Sequence, residues 1–578
     1  MKPLFKFNNF LSAIILLLLG SFLLGASYIA MLPIWEGFDE TAHFSYIQQV
    51  ADNRKLPLDG KDPISTDIEK YYEYAPVPHA LFSDVPSKDR LTYQSFFSKS
   101  GEFLSNSKEF IHSTGNPRKY FPGRGHNWES QHPPLYYILL SPIYSATNQL
   151  SWGKQIFILR IISYTFAWLG LVVAVFTCLE MAKNQSSSNK IYLWNWAAIG
   201  AGLWPVFFPA WFSDMARMGN DSICCLLLSL VWFVSIKMIR LEEVSFKHFL
   251  LLGFSLSLGC LTKVIFIPIT VGVLSFWLFR EWKLRGRIGF LKTTKLCSFV
   301  IVTILASSGW WYWNNHVQYG IISGNIDLKL LKQAGGLWNG LETNFSFPQW
   351  VRSNAVLLVT FGWIGSWSLV KPQLVFLTPI IFTLLLLVYA YLQTIRHSKI
   401  ISSEWLPTWL VLPILIGLSY HILVRIALTG EGRGTPGFYL HILAAPMSAT
   451  LGLSLYKIWK NNFFKTTIQI LFGYIIFFSI STTWSQSLFF SGLISVSKEE
   501  RIYSFPEQLP PFYGLIEVYQ RLHILAYPNL GFFLLIIGWG TIATGLIFTQ
   551  RFACQSTQTF LSKKNEIAKP LSPKLSTY

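Results

Sequence analysis

The sequence predicts an all-α polytopic membrane protein with about twelve transmembrane helices and a large first extracytoplasmic loop. Three observations predict it. The 578-residue chain is 52% hydrophobic and only 13% charged, with a mean hydropathy of +0.39. Its apolar runs repeatedly exceed the roughly 18 residues that mark a spanning helix. Its formal charge of +18 is spread unevenly between the connections joining those runs.

The elements follow in chain order. Lys2 and Lys6 precede the apolar run Leu11–Leu32, whose 22 residues make a helix about 33 Å long. That is long for a signal-peptide core, so the reading is an uncleaved first span with a cytoplasmic N-terminus. Further spans are expected near 154–180, 191–212, 221–239, 296–314, 373–394, 405–427, 436–456, 466–486 and 526–549. The run Phe249–Phe279 holds 31 residues and a single charge, Lys263. As one helix it would be about 46 Å long, against about 30 Å of hydrocarbon. Lys237, Arg240 and Lys247 precede it, and Arg280, Lys283, Arg285 and Arg287 follow it. Basic flanks at both ends lie on one side of the membrane, so the run is a hairpin with Lys263 at its outer tip. The connections then assigned to the cytoplasm carry 23 Lys/Arg against 6 Asp/Glu, and the rest of the chain 24 against 23. The positive-inside bias accounts for nearly all the excess charge, and nucleic acid is not needed to explain it.

This topology divides the chain into residues 1–32 (N-terminus and first span), 33–134 (outer loop), 135–550 (multi-helix membrane domain) and 551–578 (a cytoplasmic disordered tail, polar from Gln555). The loop 33–134 carries 14 acids and 11 bases. Two further outer regions are expected at about 316–371 and 487–525. The six cysteines lie in or beside apolar runs or in the tail, and none falls within 33–134. Neither a disulfide framework nor a CxxC metal knuckle is visible.

Acid gathers where the first span ends, in "PIWEGFDETAHF", with Glu36, Asp39, Glu40 and His43. The following "ETAHFSYIQQVADN" has amphipathic helical spacing, which puts Asp39 and His43 on one face. A carboxylate beside a histidine at the bilayer edge suits general-base work or a divalent cation. The plainer alternative is that Asp39 only caps the helix. At the far end of the loop, "GRGHNWESQHPPLYYILLSPIY" spaces His126, Glu129 and His132 by three, as metal ligands are spaced. Pro133 and Pro134 bias His132 towards extended backbone and against helical ligand geometry. The plainer reading there is a loop that ends at an interfacial aromatic helix, Leu135–Tyr144. Lys263, Arg433 and Arg217 fall near the outer face, where the plain alternatives to a functional role are snorkelling or solvation. Asn220 and Asp221 open a span, either as substrate contacts or as a helix cap. Most of the 23 tryptophans fit interface belts; Trp310, Trp311, Trp313, Trp350, Trp363 and Trp367 lie in the outer regions as candidates for stacking on a ligand.

Taken in order, the first span, the Asp39–Glu40 pair, "HPPLYY", "ILRIISYTF" with Arg160, "ARMGNDSI", "GCLTKVIFIP", "GWWYWNNHVQYG" and "EGRGTPGFYLHILAAP" resemble the GT-C superfamily. These are integral-membrane glycosyltransferases that use polyprenyl-phosphate-linked sugars, among them the protein O-mannosyltransferases and lipid A aminoarabinose transferases. The set is most similar to a bacterial branch of membrane proteins with no assigned substrate, and it covers about residues 1–460. The resemblance implies a GT-C fold and a polyprenyl-phosphate sugar donor. The acceptor would be a glycan, lipid or protein, at the extracytoplasmic face of a bacterial plasma membrane. It implies Asp39 as the catalytic base with Glu40 and His43 beside it, and Lys263, Arg433 and Arg217 at the donor phosphate. His132, Asn220 and Asp221 would contact substrate. The second acidic motif of metal-dependent members is not clear here, so a divalent metal stays open. The arginine motif usually continues with tyrosine, whereas here it reads "GRGTPGFY". A transporter or flippase of a lipid-linked or anionic solute is the alternative. The span count suits it, but the large first loop and the lack of an internal repeat do not.

Overall fold

The protein is seen in a computed structural model that describes residues 9–58, 62–81, 90–115, 118–183, 187–241, 245–362, 365–368, 374–432, 434–459, 462–494 and 513–567. The uniformly apolar first run forms α1 (Asn9–Met31) and stops just before Pro33, which cannot continue the ladder of hydrogen bonds. A turn then leads into α2 (Glu40–Asn53). The rest of the loop is a small cap of short elements. Strand β1 (Pro63–Ser65) leads into α3 (Thr66–Tyr71), followed by α4 (Tyr93–Phe97) and α5 (Gly101–His112). Strand β2 (Pro122–His126) pairs antiparallel with β1. Ser65, Thr92 and Ser100 cap α3, α4 and α5 by accepting backbone N–H groups, the usual use of hydroxyls at helix starts.

Helix α6 (Leu135–Thr147) returns the chain to the bundle. It stands where an interfacial aromatic helix is expected, yet Tyr136 and Tyr137 are fully buried. The adjacent tyrosines turn inward because each hydroxyl finds a partner there: Tyr136 at Ser163 and Tyr137 at His43 and Glu129. The bundle continues with α7 (Trp152–Lys183), α8 (Ser188–Phe207), the short α9 (Ala210–Met215), α10 (Asp221–Ile239) and α11 (Phe246–Cys260). Arg118 fastens the outer cap to α7, lying 4.4 Å from the Trp152 ring centroid and donating to Gln155 Oε1.

Helix α12 (Phe266–Tyr319) completes the expected hairpin, with Lys263 in the turn after α11. It is two legs rather than one rod, because Gly286 sits at φ 61°, ψ −147°, a conformation open essentially to glycine. The second leg supplies the span expected near 296–314. Then come α13 (Ile326–Gln333), α14 (Leu337–Asn344), α15 (Phe347–Phe361), α16 (Leu374–Ile395) and α17 (Leu406–Thr429). A 3-10 turn at Gly437–Leu443 leads into α18 (Ala444–Trp459), followed by α19 (Asn462–Phe490), α20 (Tyr513–Leu525) and α21 (Pro528–Ile567). Among the described residues eight helices are long and apolar enough to cross a membrane. The two-legged α12 is one of them, and α8, α11 and α19 stand at the other expected positions. Helix α21 carries on past Gln555 to Ile567, since no glycine or proline interrupts residues 546–567.

The largest helix contacts pair α1 with α21, α8 with α18, and α7 with α10. The α8–α18 pair approaches backbone to backbone. A Cβ placed on Gly452 would lie 2.0 Å from the Trp196 carbonyl oxygen, and one on Gly200 would lie 2.4 Å from Gly452 N. Small residues permit such close approach where membrane helices have no hydrophobic drive to associate. Gly452→Leu should therefore destabilise the bundle by about 1–3 kcal/mol, seen as a lowered Tm of detergent-solubilised protein. Gly473→Ala, where a new Cβ meets nothing within 4 Å, should leave the Tm unchanged.

Candidate active site

The site is built on the turn between α1 and α2. Asp39 occupies the position preceding α2 with φ 61°, ψ 8° and makes no side-chain cap bond. Aspartate tolerates this left-handed geometry better than most residues. Its main-chain carbonyl accepts from His43 N at 2.9 Å, so the helix starts without using the carboxylate. That carboxylate turns away and accepts from Trp128 Nε1 at 2.7 Å. Asp39 is partly exposed, whereas Glu36, Glu40 and His43 are buried. Burial pushes the Asp39 carboxyl above its ordinary value, against the opposing pull of the Arg217 charge and the Trp128 hydrogen bond.

The two acids flanking Asp39 are fully engaged. Glu40 is 0% exposed and forms a two-pronged pair with Arg160 of α7, at 2.8 and 2.6 Å. Its oxygens also accept from Met218 N and Gly37 N. Arg160 in turn donates to the carbonyls of Leu32 and Pro33 at 2.6 and 2.7 Å. Glu36 has no cation among these partners. It accepts from the hydroxyls of Tyr93, Ser366 and Ser368 at 2.7, 2.7 and 2.6 Å, and from Ser368 N at 3.1 Å. Burial raises its pKa, and these hydrogen bonds oppose the rise.

The cations converge on the start of α10. Lys263 Nζ lies 2.5 Å from Asp221 Oδ1 and 4.8 Å from the Tyr439 ring centroid. Burial alone would lower the lysine's pKa; the Asp221 charge outweighs it and holds the ammonium protonated. Arg217 bridges Asp214 at 2.9 Å and Asp221 at 3.2 Å, and its Nη1 donates to the Phe38 carbonyl at 2.6 Å. Asn220 is 1% exposed with neither amide atom partnered, and Asp214 Oδ2 and Arg217 Nε are likewise unpaired. Arg433 lies outside the described residues.

On the other side of Asp39 stands a cluster without full charges. Glu129 Oε2 lies 3.3 Å from His43 Nδ1 and 3.4 Å from His132 Nε2, and accepts from Tyr137 OH at 3.2 Å. Burial raises the Glu129 pKa well above normal, and the Asp39 charge adds to the rise. Burial pushes His132 down to about 3, helped by Lys263, and holds His43 well below its usual value. All three therefore favour their neutral forms. His132 is extended, at φ −81° and ψ 145°, as the following prolines dictate. Among the described residues no group of three or more His, Cys, Asp or Glu side chains is arranged to hold a metal ion. Aromatic rings wall the remaining side: Phe38 stacks on Phe438 at 5.0 Å and meets Trp367 edge-on at 5.6 Å.

The candidate residues Asp39, Arg217, Lys263, Asp221, Asn220 and His132 thus gather around one centre, with Glu40 and His43 bound into its supports. Sequence reasoning did not single out Trp128, Tyr137, Asp214 or Tyr439. The spacing of Asp214, Arg217 and Asp221 by three and four was a readable signal for their pairing. Nothing local distinguishes Trp128 from the other tryptophans.

No protein-family model matches this chain, and no curated protein matches it. Among solved structures it is similar to ArnT from Cupriavidus metallidurans bound to undecaprenyl phosphate, at 12% identity and a TM-score of 0.38, covering 82% of this chain and 76% of that one. The apo state of the same protein gives 13% identity with the same TM-score and coverage. The archaeal oligosaccharyltransferase AglB from Archaeoglobus fulgidus, in complex with an inhibitory peptide and a dolichol-phosphate, gives 12% identity and a TM-score of 0.31, covering 91% of this chain and 55% of that one.

The geometry separates two neighbouring acids by experiment. Glu40→Gln leaves the Arg160 charge buried without its counter-ion, a change worth about 3–5 kcal/mol. It should sharply lower the Tm of the purified protein, whereas Asp39→Asn should stay close to wild type. A Glu40→Gln protein as stable as wild type would mean that Arg160 finds its neutralising charge elsewhere.

Proposed function

We propose that this chain is a GT-C-type membrane glycosyltransferase. It would move a sugar from a polyprenyl-phosphate-linked donor to an acceptor hydroxyl, at the extracytoplasmic face of a plasma membrane. The observation that carries the reading is the state of Asp39. It is the partly exposed acid of the cluster, one of its oxygens is held by a neutral donor, and the charges of Arg217 and Lys263 act on it. The ordered motifs that resemble the superfamily support the same reading.

In this reading the acceptor O–H gives its proton to Asp39 as its oxygen attacks the anomeric carbon. The bond from that carbon to the phosphate oxygen breaks, and its electron pair leaves with the polyprenyl phosphate. Such a leaving group needs no strong acid, only cations against its growing charge. Lys263 suits this: an ammonium has three N–H donors, and the hydrogen bond to Asp221 uses one. Arg217 is largely spent on Asp214, Asp221 and the Phe38 carbonyl, so it steadies the Asp39 turn and aims Asp221. Arg433 remains a proposed third cation, and Asn220 and His132 proposed substrate contacts.

The test is turnover of a panel of radiolabelled polyprenyl-phosphate sugars by purified protein, with and without chelator. Wild type should release polyprenyl phosphate only when acceptor is added, and Asp39→Asn should lose about 10²–10⁴-fold in kcat. Lys263→Met should lose about 10²–10³-fold, the usual effect of removing a donor aimed at developing charge. Movement of intact donor across the bilayer without release would replace the reading with transport. The wild-type rate should fall as pH drops through the Asp39 pKa. Because burial raises that pKa, the acid limb should lie above the ordinary aspartate value of about 3.9.

A further inference from the structure

We infer that Trp128 is the positioning residue of this site: its indole N–H holds Asp39 Oδ1 and thereby presents Oδ2 as the proton-accepting atom. The inference rests on the transferase reading for its catalytic meaning, but the geometry behind it is independent.

At 2.7 Å the Nε1–Oδ1 contact is at the short end for an N–H···O bond. The donor type matters. An indole N–H only donates and carries no charge, so it orients a carboxylate without the neutralisation an arginine would bring. Glu40 shows the contrast, with all its lone pairs tied to Arg160 and backbone N–H groups. Two adjacent acids in one turn therefore receive opposite treatment, one locked by a cation and one aimed by a neutral donor.

The indole is itself aimed by distant segments. Trp128 opens the 3-10 turn Trp128–Gln131, which Asn127 caps by accepting Glu129 N at 3.1 Å. Ser130 Oγ donates back to the Asn127 carbonyl at 2.6 Å, and Gln131 Nε2 to the Trp128 carbonyl at 3.0 Å. The Glu129 side chain ties the turn to α2 through His43. Trp367 stands edge-on to the Trp128 ring, with centroids 6.5 Å apart at 84°. Trp367 N donates to the Glu36 carbonyl at 2.8 Å, and its neighbours Ser366 and Ser368 grip the Glu36 carboxylate. Glu36 thus acts through Trp367 on Trp128, and Glu129 fixes the turn that carries the ring against α2. Three stretches far apart in the chain converge on the direction of one N–H bond.

The test compares Trp128→Phe with wild type in the intact protein. Phenylalanine keeps the aromatic contact and removes the donor. The charged groups that bear on Asp39 are Arg217 beyond α9, Asp221 on α10 and Lys263 between α11 and α12, and the titratable Glu129 on the 3-10 turn and Tyr439 before α18 also face it; all are unchanged. Asp39 protonation is followed by carbodiimide-driven amine labelling across pH, with the Asp39 peptide quantified by mass spectrometry. Loss of a donor to the charged form should move the labelling midpoint to higher pH. The acid limb of turnover should move with it, and kcat should fall on the order of 10²-fold with donor KM unchanged. An unmoved midpoint overturns the inference, whatever happens to kcat. Trp128→Gln, which keeps an uncharged N–H donor without the ring, should give a smaller upward shift, and a shift as large as that of a donor-free Trp128→Leu would overturn the inference if the phenylalanine protein does not fold. If wild type turns over no donor, the transferase reading fails while the labelling midpoints still judge Trp128.

Discussion

The buried pair between Arg160 and Glu40 is the interaction on which the rest of the site depends. Arg160 projects from the first third of the chain's second long span and spends its donors on Glu40 and on the carbonyls of Leu32 and Pro33. Those carbonyls follow directly on the last residue of the first span, Met31, and Pro33 O accepts from Glu36 N as well, at 3.4 Å. One guanidinium therefore closes a helix end, neutralises a buried acid and ties α1 to α7. Glu40 completes the knot by accepting from Gly37 N and Met218 N. The turn carrying Asp39 is suspended between these fixed points, which lets a left-handed aspartate persist without a cap bond.

Around that knot the carboxylates are sorted by partner. Glu40, Asp214 and Asp221 meet cations, Glu36 meets hydroxyls, and Glu129 meets imidazoles and a phenol. Asp39 alone of these is only partly buried, and its carboxylate accepts from an indole. Burial penalises every charged form here, so each acid keeps its charge only as far as its partners compensate. At Asp39 the neutral Trp128 donor and the nearby Arg217 and Lys263 charges oppose the effect of burial. Lys263 shows the same economy among the cations. It reaches the centre from a hairpin tip, avoiding most of the cost of a lysine placed mid-span.

Much of the fold was legible because its causes are local or additive. Apolar run length set the helices, and charge asymmetry turned Phe249–Phe279 into a hairpin with Lys263 at the turn, as found between α11 and α12. The helix after Asp39 begins and ends where its spacing places it. The inward turn of Tyr136 and Tyr137 was not legible. Their aromatic character fits an interface equally well, and only the partners waiting at Ser163, His43 and Glu129 decide the direction. The continuation of α21 beyond Gln555 departs from a composition-based reading, because polar composition alone does not break a helix that lacks glycine and proline.

The sequence by itself determined which residue types were present for chemistry and that a membrane-bound helical bundle would hold them. It marked the acids after the first span and the charges in otherwise apolar surroundings, since both are costly enough to stand out. Tertiary structure alone decided which partners engage each acid. Glu36, Asp39 and Glu40 are near neighbours with similar side chains, and nothing local separates their roles. Arg160 lies 120 residues from Glu40, Ser366 lies 330 from Glu36, and Trp128 lies 89 from Asp39. A carboxylate's protonation and direction are set by the atoms within about 3 Å of it, and here those atoms are supplied by distant parts of the chain.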